Sequence, residues 1–262
     1  MGLIAQFDYL HAIAGFMVGV LVGLTGVGGG SLMTPVLVLL FGVNAKTAVG
    51  TDLLYASITK MAGSAVHGWH DTVDWRIVRL LASGSLPAAA ITLTTLSYIG
   101  KLGKSTEHTI LLILGGMLLL TALATAFQRK LIAFAGHHDT IDRKRAAVPT
   151  IILGAAIGSL VSISSVGAGA IGVTALLMLY PRLPVSRIVG TDIAHAVPLT
   201  LLAGLGHWAI GDVNLLLLGN LLVGSIPGVI IGSLMSTRAP DGFLRPALAA
   251  VLTASGMKLL LQ

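Results

Sequence analysis

The sequence predicts an all-α integral membrane protein. It is built from two inverted repeats of about five segments each, with broken or re-entrant short helices at glycine-rich motifs. Three observations lead there. Only 10% of the 262 residues are charged and 55% are apolar, whereas a soluble domain is about 25% charged. The apolar residues gather into long runs, giving a mean hydropathy of +0.94. Finally, several motifs occur twice at a nearly constant spacing.

Ten apolar segments follow in order: Tyr9–Leu24, Leu32–Phe41, Ala45–Val66, Ile77–Ile99, Thr109–Phe127, Ala146–Val161, Ile171–Tyr180, Ile188–Ala209, Val213–Met235 and Phe243–Leu261. A span takes about 20 residues. The third, fourth, eighth and ninth segments reach that length; the first, second, sixth and seventh fall short. The runs lack alternation and are rich in Leu, Ala and Gly, which excludes strands. The first run lacks a basic flank and has structural glycine spacing, so it reads as a membrane segment and not as a cleavable signal. Asn44 is expected to cap the third segment, and the eighth is expected to begin near Ser186.

The short segments form two pairs. The first pair flanks Thr25-Gly26-Val27-Gly28-Gly29-Gly30-Ser31, the second a diluted copy, Ser164-Ser165-Val166-Gly167-Ala168-Gly169-Ala170. Irregular backbone is stable at membrane depth only where protein or a wet cavity surrounds it. Each pair is therefore two short crossing helices or a re-entrant hairpin.

The two halves repeat one another. Val49-Gly50-Thr51-Asp52 returns as Val189-Gly190-Thr191-Asp192, a shift of 140, and Gly84-Ser85-Leu86-Pro87 returns as Gly224-Ser225-Ile226-Pro227. Upstream the shift is 139, which matches Gly15, Gly19, Gly28 and Gly30 to Gly154, Gly158, Gly167 and Gly169. The organisation is a first transmembrane repeat over 1–127, a polar linker over 128–145 and a second repeat over 146–262. The linker carries Arg129, Lys130, Arg143, Lys144 and Arg145 and reads as cytoplasmic. With an odd number of crossings per half, eleven basic residues fall on the linker's side and four, Lys46, Lys101, Lys104 and Lys258, on the other. This positive-inside asymmetry favours inverted halves with both termini away from the cytoplasm. It also accounts for the net charge of +6 without nucleic acid. The absence of cysteine excludes thiolate metal sites and cysteine nucleophiles.

Two short helices meeting at a break point free N–H groups and a positive dipole end at the bilayer centre, a seat for an anion. Thr25, Gly28, Gly29, Gly30, Ser31, Ser165, Gly167 and Gly169 are the candidates there. The spaced rows Gly15/Gly19/Gly23 and Gly224/Gly228/Gly232 read instead as helix packing. Asp52 and Asp192 lie about two turns, or ~10 Å, inside their helices. There a carboxylate is costly without a partner and acts either as a structural tie or as a proton or cation relay. Thr51 and Thr191 are candidate hydrogen-bond donors. Lys60, whose repeat mate is Thr200, and His195, whose mate is Tyr55, are candidate charge partners. His67 and His207 lie at segment ends beside Trp69 and Trp208 and read as an aromatic interface belt, not as a metal centre.

These motifs resemble the sulfite exporter TauE/SafE family, also called TSUP. The resemblance rests on Gly23 to Ser31, on Val49-Gly50-Thr51-Asp52 and its copy, and on Gly84-Ser85-Leu86-Pro87 and its copy, and it covers nearly the whole chain. It implies a permease of the plasma membrane, of bacterial inner-membrane type, for small sulfur-containing anions such as sulfite or sulfonates. The expectation is thus a secondary transporter with alternating access, its halves moving about a central site. No nucleotide loop is present, so an ion, proton or substrate gradient drives it, and neither a cofactor nor catalysis is expected. The expected partners are a small anionic substrate, the lipid bilayer and a coupling proton or cation; the glycine rows allow a homodimer. Two rivals are an anion channel and an intramembrane aspartyl protease using Asp52 and Asp192.

Overall fold

A computed structural model describes residues 8–25, 30–67, 73–99, 105–135, 146–235 and 241–261. These residues are helical almost throughout and contain no strand. The helices are α1 (Tyr9–Thr25), α2 (Gly30–Leu39), α3 (Ala45–His67), α4 (Trp75–Ile99), α5 (Ser105–Ala135), α6 (Ala147–Ser164), α7 (Ala170–Leu179), α8 (Val185–Ile210), α9 (Leu215–Met235) and α10 (Asp241–Leu260). They match the ten apolar segments, except that α5 continues into the polar linker as far as Ala135.

Among the described residues, five helices are long and apolar enough to cross a bilayer: α4, α5, α6, α8 and α9. One expectation is corrected. The sixth segment does not fall short, because α6 runs on to Ser164 and its 18 residues suffice. The third has the length, 23 residues, but Lys46, Asp52 and Lys60 keep α3 out of the apolar set. Helices α2 and α7 have 10 residues each. That is roughly 15 Å, half of a hydrocarbon layer of about 30 Å.

Polarity is distributed as lipid solvation demands. Large apolar side chains stand exposed, among them Leu10, Ile13 and Met17 on α1, Ile91 on α4, and Val223, Leu234 and Met235 on α9. Polar groups lie inside, including Thr34, Thr51, Asp52, Ser85, Asp192 and His195. A water-soluble domain does not expose so much contiguous apolar surface.

The closest helix pairs are made by glycine against backbone and always join opposite halves. On α1, Gly15, Gly19 and Gly23 face the backbone of Leu221, Ser225 and Val229 on α9, while Gly224, Gly228 and Gly232 of α9 face Ala12, Phe16 and Val20 of α1. The two glycine rows thus interlock in one parallel seam. On α6, Gly154 and Gly158 face Leu81 and Ser85 of α4, and Gly84 of α4 faces Ile151. Every one of these α4–α6 contacts is an α1–α9 contact carried across by the repeat shift. A Cβ at any of these glycines would enter a backbone carbonyl. Small residues permit such approach, and dispersion and close packing hold the seam where no hydrophobic effect operates.

The mate helices themselves cross antiparallel. Leu54 of α3 packs on Gly204 of α8, and Gly50 on His207 and Asp212. Likewise Gly115 of α5 meets Leu260 and Gly256 of α10.

Helix starts follow local chemistry. Asn44 caps α3, its Oδ1 accepting from Lys46 N at 2.9 Å. Asp74 caps α4 through Arg76 N at 3.2 Å. Asn214, its repeat mate, caps α9 through Leu217 N at 3.0 Å. Helix α8 starts at Val185, beside the expected Ser186. Extended Pro184 precedes Val185 and no side chain caps the end, because proline fixes the backbone just before the first turn.

Gly19→Leu or Gly158→Leu should abolish a monodisperse detergent-solubilised peak in size exclusion. Gly116→Ala and Gly219→Ala, which face open space, should elute as wild type.

Candidate functional site

The site is built at two broken helices and one crossing. In the second half, α6 ends where Ser165 takes the left-handed conformation, φ 58°, its amide still bonded to Val161 O at 2.7 Å. Gly167 and Gly169 follow with φ 120° and 132°, a region that only glycine occupies without strain. The chain then re-enters a helix: Val173 N donates to Gly169 O at 2.8 Å and Gly172 N to Gly167 O at 3.2 Å. Among the described residues, the amides of Gly167 to Ile171 have no acceptor. They form the positive end of α7.

The first break is described at its edges. Thr25 closes α1 and donates to Leu21 O at 2.7 Å. Gly30 opens α2, and Ser31 beside it is buried. Gly28 and Gly29 lie outside the described residues, as do the side chain of His67 and all of Trp69.

The α3–α8 crossing supplies the charges. Leu54 against Gly204 maps under the repeat shift to Ala194 and Ser64, which puts the midpoint of the crossing at Thr59 and Leu199. Lys60 and Thr200 therefore flank the local two-fold axis. A lysine in both repeats would set two ammonium groups side by side, so a single lysine serves both halves. Lys60 is only 7% exposed. The two carboxylates that act on it are Asp192 and, more weakly, Asp52, and neither reaches it in a direct ion pair. Its charge is also felt at His195.

The surroundings of the two carboxylates differ. Thr34 Oγ1 of α2 donates to Asp52 Oδ2, and Ser165 at the α6 break lies alongside. Asp192 Oδ1 rests against Gly172 of α7, where a Cβ could not fit. Each carboxylate feels the charge of Lys60. His195 Nε2 lies 2.7 Å from Ser85 Oγ of α4. Its mate Tyr55 faces Ser225 of α9 without a direct hydrogen bond.

The two motif threonines are engaged elsewhere. Thr51 Oγ1 accepts from Asn214 N at 3.1 Å. Thr191 Oγ1 accepts from Asp74 N at 2.9 Å and donates to Arg187 O at 2.6 Å. Each threonine thus ties down the capping residue of a helix in the opposite half. His207 has a structural setting too, its Nε2 donating to Ser162 O at 2.8 Å.

The structure therefore gathers Asp52, Lys60, Ser165, Asp192 and His195 at one centre and sets Thr51 and Thr191 at its rim. The sequence reading passed over Thr34, Ser85, Gly172 and Ser225. For Ser85 and Ser225 the signal was available, since a serine repeated in mid-span beside glycine and proline needs a polar partner in hydrocarbon.

A polytopic helical protein with broken helices and a charged interior has the build of a membrane transporter, and its relatives carry that description. The family model described as "Sulfite exporter TauE/SafE" matches residues 11–259, and the chain belongs to that family. "Probable membrane transporter protein YjnA" of Bacillus subtilis (strain 168) is 40% identical over 95% of this chain and 98% of its own length. "Probable membrane transporter protein YdhB" of the same strain is 26% identical over 94% and 97%. "Probable membrane transporter protein MJ0441" of Methanocaldococcus jannaschii is 30% identical over 75% and 70%. No solved structure matches.

Thr51→Val and Thr191→Val remove one cross-half hydrogen bond each, about 1 kcal/mol apiece. Both should lower the melting temperature by a similar amount while leaving the protein monodisperse.

Proposed function

We propose that this protein is an alternating-access secondary transporter for a small sulfur-containing anion, sulfite-like or an organosulfonate, in the plasma membrane. The observation that carries this reading is the α6–α7 break. Its amides from Gly167 to Ile171 have no acceptor among the described residues, and Ser165 beside them adjoins the Asp52–Lys60–Asp192 cluster. Unpaired amides at a helix start bind oxyanions, and a buried lysine adds the charge that holds them. The family's printed description supplies the sulfur oxyanion.

The substrate then sits between Gly28–Ser31 and Ser165–Gly169, with Lys60 as charge partner and His195, oriented by Ser85, as a hydrogen-bonding neighbour. Thr51 and Thr191 hold the frame. The seams α1–α9 and α4–α6 join opposite halves, so the moving units are two mixed bundles. One contains α1, α3 and α9, and its mate contains α6, α8 and α4. They turn against each other at the α3–α8 crossing. The linker at 128–145 faces the cytoplasm and the termini face away, as the basic residues suggest.

Thermal stabilisation of the purified protein across sulfite, thiosulfate, sulfate, taurine, sulfoacetate, phosphate and acetate tests this reading, since a ligand raises the melting temperature by mass action. One sulfur oxyanion or sulfonate should shift it selectively. Lys60→Met should fold and lose the shift, and Gly29→Leu should abolish transport in a well-expressed protein. A Lys60→Met variant that binds as tightly as wild type would remove the site assignment.

A further inference from the structure

We propose that Asp52, together with Ser165 and the carbonyl end of α6, forms a binding site for one monovalent cation that must enter with any anion held at the centre. Among the described residues, the buried acids and ammonium group of the α3–α8 centre are Asp52, Asp192 and Lys60. With all three ionised, the centre is one positive charge short before any substrate arrives. A net charge in hydrocarbon is costly, and an anion would double the deficit. A cation is needed to close it.

The place for that cation follows from what each carboxylate touches. Asp192 lies against Gly172 and is the stronger partner of Lys60. Asp52 is the weaker partner, and its Oδ1 is buried without any hydrogen bond. Ser165 Oγ is likewise buried, close enough to act on the Asp52 carboxylate but without a direct hydrogen bond. Ser165 also ends α6, where the Ile163 and Ser164 carbonyls have no donor among the described residues. That is the negative end of a half-helix. A carboxylate, a hydroxyl and free carbonyls form an all-oxygen set, which suits a hard monovalent cation. Sodium coordinated by these oxygens and a proton on Oδ1 bonded to Ser165 Oγ both meet the same need.

The helix of Asp52 itself presents Tyr55 and Lys60, α2 presents Thr34 and the α6 break presents Ser165. Across the crossing, α8 carries buried Asp192, His195 and His207, and α9 carries Ser225 beside Tyr55. No second cation among them stands ready to neutralise Asp52. The cation site rests on these contacts alone; only its coupling to anion entry rests on the transport reading above.

The test needs no anion substrate. The melting temperature of the purified full chain is measured with NaCl exchanged for choline chloride at constant ionic strength, and separately in choline chloride from pH 8 to pH 5.5. Wild type should be stabilised by sodium at pH 8, which identifies the cation as sodium, or by acid alone, which identifies it as a proton. Asp52→Asn, a neutral isostere, should fold and respond to neither, and Asp192→Asn, which leaves Lys60 to balance Asp52, should respond more weakly than wild type. For sodium, Ser165→Ala should raise the half-maximal concentration about tenfold, the loss of one hydrogen-bond-strength ligand. A wild type indifferent to both ions, an Asp52→Asn protein with an undiminished response, or an Asp192→Asn protein that responds more strongly than wild type would overturn the proposal. A cation response combined with a flat anion panel would leave this site standing and remove the anion reading alone.

Discussion

The constraint on which this structure depends is the cost of ionised groups in a medium that cannot solvate them. Lys60 meets it by position. It lies beside the two-fold midpoint of the α3–α8 crossing, within electrostatic reach of a carboxylate from each half. Around it the other elements are arranged in support: α2 donates to Asp52 through Thr34, α7 yields space to Asp192 at Gly172, and α4 holds His195 through Ser85. Moving the lysine one turn along α3 would leave one of its two carboxylates without an opposite charge.

The motif Val-Gly-Thr-Asp shows how one short string serves several levels. Gly50 lets the helix approach the Asp212 carbonyl, Thr51 holds the capping residue of α9, and Asp52 turns inward to the charged centre. In the second copy, Thr191 holds Asp74 in the same way. Three consecutive residues therefore fix contact distance, helix entry and interior charge, and the repetition means that both halves are registered by the same device.

Much of the fold was legible because periodic glycine and apolar runs report directly on packing and lipid exposure. The ten segments and both breaks could be read. That Gly15 and Gly19 pair with α9 and not with another helix was not legible, since a small-residue row states that something approaches without naming it. The charged centre was half visible: Asp52, Lys60, Asp192 and His195 stand out as polar residues in apolar segments. Thr34 and Ser85 do not, because a hydroxyl can always bond its own helix, as Thr59 does to Tyr55 O. That Thr51 and Thr191 also accept from the distant amides of Asn214 and Asp74 was not legible either. The division of labour between Asp52 and Asp192 was invisible, as identical motifs conceal different neighbours.

The α1–α9 seam has a consequence for synthesis. Helix α1 is sealed by α9, roughly two hundred residues later in the chain. Until then its glycine face meets lipid or a passing helix, and contacts so distant in sequence form slowly. Nascent chains should therefore carry an open flank through most of translation, and membrane chaperones and proteases have their longest opportunity there. A truncation before α9 leaves α1 without its mate, so quality control can recognise such a chain by the bare glycine face of α1.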